Sequence, residues 1–432
     1  MCYAEFASMI PVAGSAYTFT YTTVGEIMAW IIGWDLILEM LMAGSVISKY
    51  WGVYLNDFMR LMGWNANTNL TFGSFHIDIA PIIIVAFFTT LLVFGTKIGA
   101  RVDGAMTVLK IAIVFFVVIV GFFYVKASNF TPFIPPSQPA STVEGSSAVT
   151  GVMTQPLWQF ATGMTPSVYG VPGILSGAAL VFFAFIGFDV VATASEETKN
   201  PHKNVPLGIG VGMLLIIVMY MLVAVVTTGM VSYADLAKQD SPSLATAFEL
   251  VGADWAAKII SFGIVLGLAT VVMVLLLGLT RIVFAMSRDG LLPRGLSKTG
   301  KHGTPAALQI VVGAVVALVA AFFDIGVLSD MVNIGTLSAF TLVAISIPIM
   351  RKKRPDLPRA FKMPGNPWIP ILIAVSNFWL MLNLSVLTWI RFVVWLVVGV
   401  AIYFGYGYWH ARLGKGDLTE TLSAETDKAV NG

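Results

Sequence analysis

Long apolar runs alternate with short polar segments along nearly the whole chain. Windows of about 20 or more predominantly apolar residues, the length that crosses a bilayer as a helix, fall near 26–48, 78–96, 104–125, 174–195, 206–231, 259–286, 306–323, 326–350, 369–388 and 390–409. These windows predict an all-α fold, a polytopic transmembrane helical bundle. A further apolar piece, 1–12, is too short to span, and no basic lead precedes it to make a signal peptide. The connections near 49–77 and 126–173 are the longest, and the second is rich in Pro, Ser and Gly, which predicts irregular structure. Residues 411–432 have no apolar period and read as a polar, disordered tail behind one membrane domain, 1–410.

One window carries a defect. In GILSGAALVFFAFIGFDVVATASEE (173–197) the triplet Gly187-Phe188-Asp189 lies just past the middle of the apolar run. Lipid cannot hydrogen-bond a freed backbone, so a helix that loosens at membrane depth needs protein or a water-filled cavity beside it. Secondary transporters place their substrates at such breaks. A packing glycine in an unbroken helix is the plain alternative, because Gly is common in membrane helices. Asp189 either caps a second half-helix beginning at Val190 or meets a substrate ammonium. Phe183 and Phe188 either close over a ligand or pack.

Composition agrees with the windows: 57% of the 432 residues are hydrophobic and 11% charged, far from the balance of a soluble domain. The net charge of +2 gives no reason to expect a nucleic acid partner. The single cysteine, Cys2, excludes a disulfide framework and any Cys-rich metal site. Basic residues set the orientation. With alternating spans, Lys97, Arg101, Lys199, Lys203, Arg281 to Lys301, Arg351 to Arg354, Arg359, Lys362 and the basic residues of the tail share one side. Only Lys49, Arg60, Lys126, Lys238, Lys258 and Arg391 fall on the other. The positive-inside rule then puts the C-terminus in the cytoplasm of a cell bounded by this plasma membrane. Sequons at Asn69 and Asn129 land on the predicted outside.

Charges inside the spans need reasons. Lys110 is the one charged residue of GAMTVLKIAIVFFVVIVGFF, and a lysine at a helix centre costs about 2.5–3.5 kcal/mol on insertion scales. Its stem can snorkel to the cytoplasmic headgroups, or its ammonium can face a cavity, exchange a proton during transport, or stand in for a bound sodium ion. Asp35 and Glu39 are four residues apart in WDLILE and share one helix face. Two carboxylates at that depth repel each other if both are ionised. They are candidates for a proton site, or for structural hydrogen bonding to a neighbouring helix.

Enzyme motifs are poor. Gly295-x4-Gly300-Lys301 imitates a phosphate loop, but His302 stands where a Ser or Thr must hold magnesium, and no strand precedes it. His76, His202, His302 and His410 lie in loops or at span ends, so the paired in-membrane ligands of a haem protein are absent. No cofactor and no metal site is expected. Gly208 and Gly212 form a GxxxG pair that predicts close helix packing.

Four strings, CYAEFASMIPVAGSAYTFTY, AWIIGWDLILE, FFAFIGFDVVATASEETKNP and FAMSRDGLLP, resemble signatures of the amino acid–polyamine–organocation superfamily, and within it the bacterial relatives of the cationic amino acid transporters. The similarity covers the chain to about His410. It implies a LeuT-like inverted repeat of five plus five helices with two more behind, working by alternating access around a midplane site. The resemblance matches 174–195 to the family's broken sixth helix and Lys110 to a fifth-helix lysine that occupies a sodium position in sodium-coupled relatives. It carries the substrate-binding segment to Phe183, Ala184, Ile186, Gly187 and Phe188, and places Val272 and Met273 near the substrate side chain. Proton coupling is expected at Lys110, Asp35 and Glu39. The partners implied are an L-amino acid, a proton and the lipid bilayer. The chain begins within the family's second helix, and the first helix binds the amino acid carboxylate. The expectation is therefore that adding about 50 residues, one span and a short lead, restores an uptake that the given stretch lacks. The function expected is proton-coupled amino acid import. An amino acid exchanger, a channel, a non-transporting membrane scaffold and a membrane-embedded enzyme are the alternatives.

Overall fold

The computed structural model describes residues 2–9, 17, 21, 25–64, 68–72, 75–95, 100–142, 151–187, 200–239, 242–300, 303–353, 355, 359 and 361–411. Among them each predicted span meets one helix. The order is α1 (Cys2–Met9), α2 (Glu26–Leu61), α3 (Ile79–Val93), α4 (Ala100–Phe122), α5 (Leu157–Thr162), α6 (Gly170–Val181), α7 (Pro201–Met230), α8 (Tyr233–Ala237), α9 (Leu244–Leu250), α10 (Asp254–Arg288), α11 (Ala306–Phe322), α12 (Ile325–Lys353), α13 (Trp368–Leu382) and α14 (Val386–Ile402), the last carried to His410 through a π turn. Six helices are long and apolar enough to cross a bilayer: α2, α4, α7, α10, α12 and α14 with its extension. The apolar helices α3, α6, α11 and α13 are shorter.

Hydrogen bonds between helix ends define two faces. On one, Lys126 N donates to Gly229 O, Leu157 N to Leu384 O and Lys49 Nζ to Ala320 O. On the other, Thr304 Oγ1 donates to Val93 O. The connection predicted at 49–77 is partly helix, because α2 runs on to Leu61, and partly a hairpin of β1 (Asn69–Phe72) and β2 (Phe75–Asp78). The α2 extension is tied down: Arg60 forks onto Glu249 at 2.8 and 2.9 Å, and Ser243 donates to Asp57 at 3.0 Å. The irregular connection predicted at 126–173 also contains a short pair, β3 (Gln138–Pro139) with β4 (Ser167–Val168), and α5.

Burial separates central from peripheral helices. The apolar windows of α2 and α12 are 72% and 67% buried, whereas those of α4 and α7 are 11% and 17% buried. Small residues permit the central crossings, as expected where helices associate through close packing rather than the hydrophobic effect. A Cβ on Gly335 of α12 would sit 3.2 Å from Leu38 of α2, and one on Gly33 of α2 would sit 2.8 Å from Met286 of α10. Where α14 crosses α2, Gly399 faces the indole of Trp34, which stacks on Trp395 at 4.4 Å, and Trp30 Nε1 donates to Gly399 O at 3.0 Å. The predicted GxxxG contact is not made: a Cβ at Gly208 or Gly212 would meet nothing within 4 Å. The reason is that α7 lies on the periphery, where Leu214, Met221 and Val225 are exposed.

Candidate functional site

The local sequence of α6 sets where it fails. The small, flexible run GVPGILSGAALV is helical, and the four residues Phe182–Phe185 that follow tighten into a 3₁₀ turn. Bulky aromatic side chains lose rotamer freedom against a preceding helical turn. Ile186 is then extended, with ψ 142°, and Gly187 takes φ +107°, a conformation that side chains with a Cβ rarely adopt. The break is present at Gly187 and begins five residues earlier, at Phe182. Phe188 and Asp189, the remaining members of the predicted segment, lie outside the described residues.

Freed backbone groups at the break find partners on other helices, as membrane depth requires. The Tyr220 hydroxyl of α7 donates to Ala184 O. Asn333 Nδ2 of α12 donates to Leu180 O at 3.3 Å. Ile186 N donates back to Phe183 O at 3.2 Å. Nothing in the sequence marks Tyr220 for this contact, and Asn333 stands out there only as a polar residue inside an apolar helix.

The aromatic run meets the central apolar cluster and a cavity at its edge, and Phe182 touches both. Phe183 and Ile186 pack against the central apolar cluster, to which buried Val272 belongs and against which Met273 also packs. The structure thus brings four of the predicted substrate residues to one cluster. Phe182 and Phe185 line a cavity of about 320 Å³ together with Cys2, Tyr3, Met213, Phe340, Val343, Ile373 and Asn377. Ring contacts frame it: Phe182 with Phe340 at 5.7 Å, Tyr3 with Phe340 at 5.3 Å, and Phe185 with Tyr220 at 5.2 Å. The Ala184 side chain is exposed, so its carbonyl rather than its methyl joins the arrangement.

Gly187 offers a direct check on the break. Among the described residues nothing lies within 4 Å of a Cβ there, so the expected cost of Gly187→Leu is conformational, about 1–2 kcal/mol for a positive φ. The expected result is that ligand-induced thermal stabilisation, which scales as RT ln(1 + [L]/Kd), falls more than the melting temperature of the free protein. A variant that keeps the full ligand shift would show that Gly187 only shapes the chain.

Lys110 and the two carboxylates occupy different interfaces. Lys110 lines a cavity of about 180 Å³ with apolar residues of α4, α7 and α10 and Leu244. Its stem lies across Gly267 of α10, with Cγ 3.3 Å from where a Cβ would stand. The stem of the side chain is laid sideways on the middle of α10. Asp35 and Glu39 are fully buried in α2. Ser338 of α12 donates to Asp35 Oδ2 at 2.8 Å, and among the described residues Asp35 Oδ1 accepts no hydrogen bond. Asn333 Oδ1 and Thr336 Oγ1, one turn apart on α12 and fully buried, are in the same condition. α12 therefore meets the broken helix through Asn333 and α2 through Ser338, on different faces.

A fourth arrangement was not legible from the sequence. Glu5 of α1 is fully buried and accepts a fork from Arg351, with Nε to Oε1 at 2.8 Å and Nη2 to Oε2 at 2.6 Å. Met363 N donates to the same Oε2 at 2.8 Å, and Arg351 Nη2 also donates to Met363 O. Arg359 stands 3.7 Å away. In the sequence these arginines are only members of a basic loop.

Comparison with known proteins gives a consistent result. The sequence profile of a family described as amino acid permease matches residues 1–407. The branched-chain amino acid permease BcaP of Bacillus subtilis (strain 168) is 42% identical over 96% of this chain and 84% of its own length. A methylthioribose transporter of the same organism is 38% identical over the same shares, 96% and 84%. The vacuolar cationic amino acid transporter 4 of Arabidopsis thaliana is 34% identical over 82% of this chain and 55% of its own. All three are named as permeases or transporters, none as an enzyme.

Proposed function

This chain belongs to the amino acid permease family, and from that premise we propose that it imports an L-amino acid with a branched aliphatic side chain by proton-coupled alternating access. The observation that carries the reading is the break of α6 at Phe182–Gly187, with its freed carbonyls held by Tyr220 and Asn333. A broken helix at this depth presents backbone groups to a polar ligand. Phe183 and Ile186 belong to the break itself, and Val272 and Met273 share the central apolar cluster that they pack against. Ala184 and Gly187 belong to the same segment, as does Phe188 in the sequence.

The apolar walls favour an uncharged side chain. Among the described residues no carboxylate lines the cavity at Phe182 and Phe185, and its apolar walls suit an uncharged side chain better than a lysine or arginine. The similarity to a protein named branched-chain amino acid permease points the same way. For coupling, Lys110 lines a cavity at α10, and Asp35 is buried with a hydrogen bond from Ser338 of α12. Glu39, one turn beyond Asp35, is the third candidate. The positive-inside rule supports a cytoplasmic Arg351 face, in a protein of the plasma membrane.

The test is uptake of labelled leucine into proteoliposomes under an inward acid gradient. Competition by isoleucine and valine, and none by lysine or methylthioribose, is the expected outcome. Inhibition by methylthioribose alone would move the substrate to the class named for the second relative. Uptake that needs preloaded amino acid and ignores the gradient would make the protein an exchanger.

A further inference from the structure

The ends of α4 and α7 enclose a recess unlike the two apolar cavities. α4 stops at Phe122 and α7 at Met230, and Gly121 lets them close, since a Cβ there would collide with Val226 and Met230. Beyond these ends the chains are tied together: Lys126 N donates to Gly229 O at 2.9 Å and Asn129 Nδ2 to the same oxygen at 2.7 Å. Between them and the segment around α8 and α9 lies a cavity of about 530 Å³, whose walls carry Lys126, Asn129, Ser232 and Asp235 beside Phe123 and Leu250.

The recess holds one cation and one anion. Lys126 is exposed and, among the described residues, forms no ion pair. Asp235 accepts from Ser232 Oγ at 2.7 Å and lies 3.3 Å from Lys238 Nζ, with more than half of its side chain exposed. The Ser232 hydroxyl and then Lys238 hold its carboxyl below the ordinary range, so it is ionised at neutral pH. Tyr124 lines the recess, and Tyr233 and Trp255 are exposed on the segments around it. Tyr and Trp gather at the level of lipid headgroups. Toward the bilayer the two helices expose Ile119, Phe122, Met221 and Val225, an apolar face suited to acyl chains.

We propose that this recess binds the headgroup of a zwitterionic aminophospholipid, its phosphate on Lys126 and its primary ammonium on Asp235. The charge pattern selects the headgroup. A purely anionic one meets repulsion from Asp235, and a quaternary ammonium has no N–H to donate. A free amino acid has the same two charges but lacks the chains that would cover the apolar face. The site is remote from the break in α6 and independent of the transport reading.

Native mass spectrometry of the delipidated protein, titrated with an equimolar mixture of phosphatidylethanolamine, phosphatidylcholine and phosphatidylglycerol of identical chains, tests it. Phosphatidylethanolamine should exceed each of the others by about two- to fivefold, the ratio that exposed charge contacts support. Asp235→Asn should abolish that preference, and Lys126→Gln should weaken all three lipids; both positions are exposed, so the variants fold. Equal binding of the three headgroups, a preference that survives both substitutions, or displacement of the bound lipid by excess free leucine would each overturn the proposal.

Discussion

Lys110→Ala is expected to abolish accumulation of amino acid under an inward proton gradient while leaving the protein folded. The charge sits in a span at a cost of about 2.5–3.5 kcal/mol on insertion scales, so its removal relieves a penalty rather than creating one. What alanine gives up is the stem lying over Gly267 and the packing against α10, partial losses in a cavity that already exists. If Lys110 moves the proton, its loss should remove coupling and spare exchange of labelled for unlabelled substrate across the same liposomes. The two assays separate coupling from binding. Unchanged gradient-driven accumulation would return Lys110 to a structural role and leave Asp35 and Glu39 as the coupling candidates.

Arg351→Ala is expected to destabilise the protein strongly, by about 3–5 kcal/mol, the range for removing one partner of a buried ion pair. The physical cause is Glu5, which is fully buried and would lose both arms of the guanidinium fork, while the Met363 N bond remains. Arg351→Lys should recover only part of the loss, because an ammonium cannot make the two parallel bonds. Thermal unfolding in detergent gives the measurement. The double variant Glu5→Leu/Arg351→Leu should be more stable than Arg351→Ala, since it removes the fully buried carboxylate, and adding Arg359→Leu should raise stability further, because Arg359 is itself buried beside Glu5. An Arg351→Ala protein that melts with the parent would mean that the fork contributes nothing net, and that α1 is held to α12 by packing alone.

The candidate site was legible in part. Gly187 announces the break because an interruption in an apolar run is a local feature, and the break is there. Its start at Phe182 is less visible, because a 3₁₀ turn keeps the same apolar pattern as a helix. Lys110 and Asp35 stand out as charges in apolar spans, yet their neighbours, Gly267 and Ser338, lie on helices far along the chain. Tyr220 and Asn333 reach the break from α7 and α12, and nothing near them in sequence marks that reach.

By itself the sequence determined the spans, their order, the interruption in one of them, and the side on which basic residues gather. All are read from stretches of about 20 residues, and the bilayer's thickness and its inability to hydrogen-bond act on stretches of that size. The tertiary structure alone decided which helices are central. α4 and α7 are strongly apolar yet face outward, while α2, with Asp35 and Glu39, is the most buried span. Lipid tails and protein interior are equally apolar, so hydropathy cannot tell one neighbour from the other. It also decided the pairing of Glu5 with Arg351, because a buried carboxylate selects its partner by where the chain's path delivers a guanidinium, and no local pattern records that path.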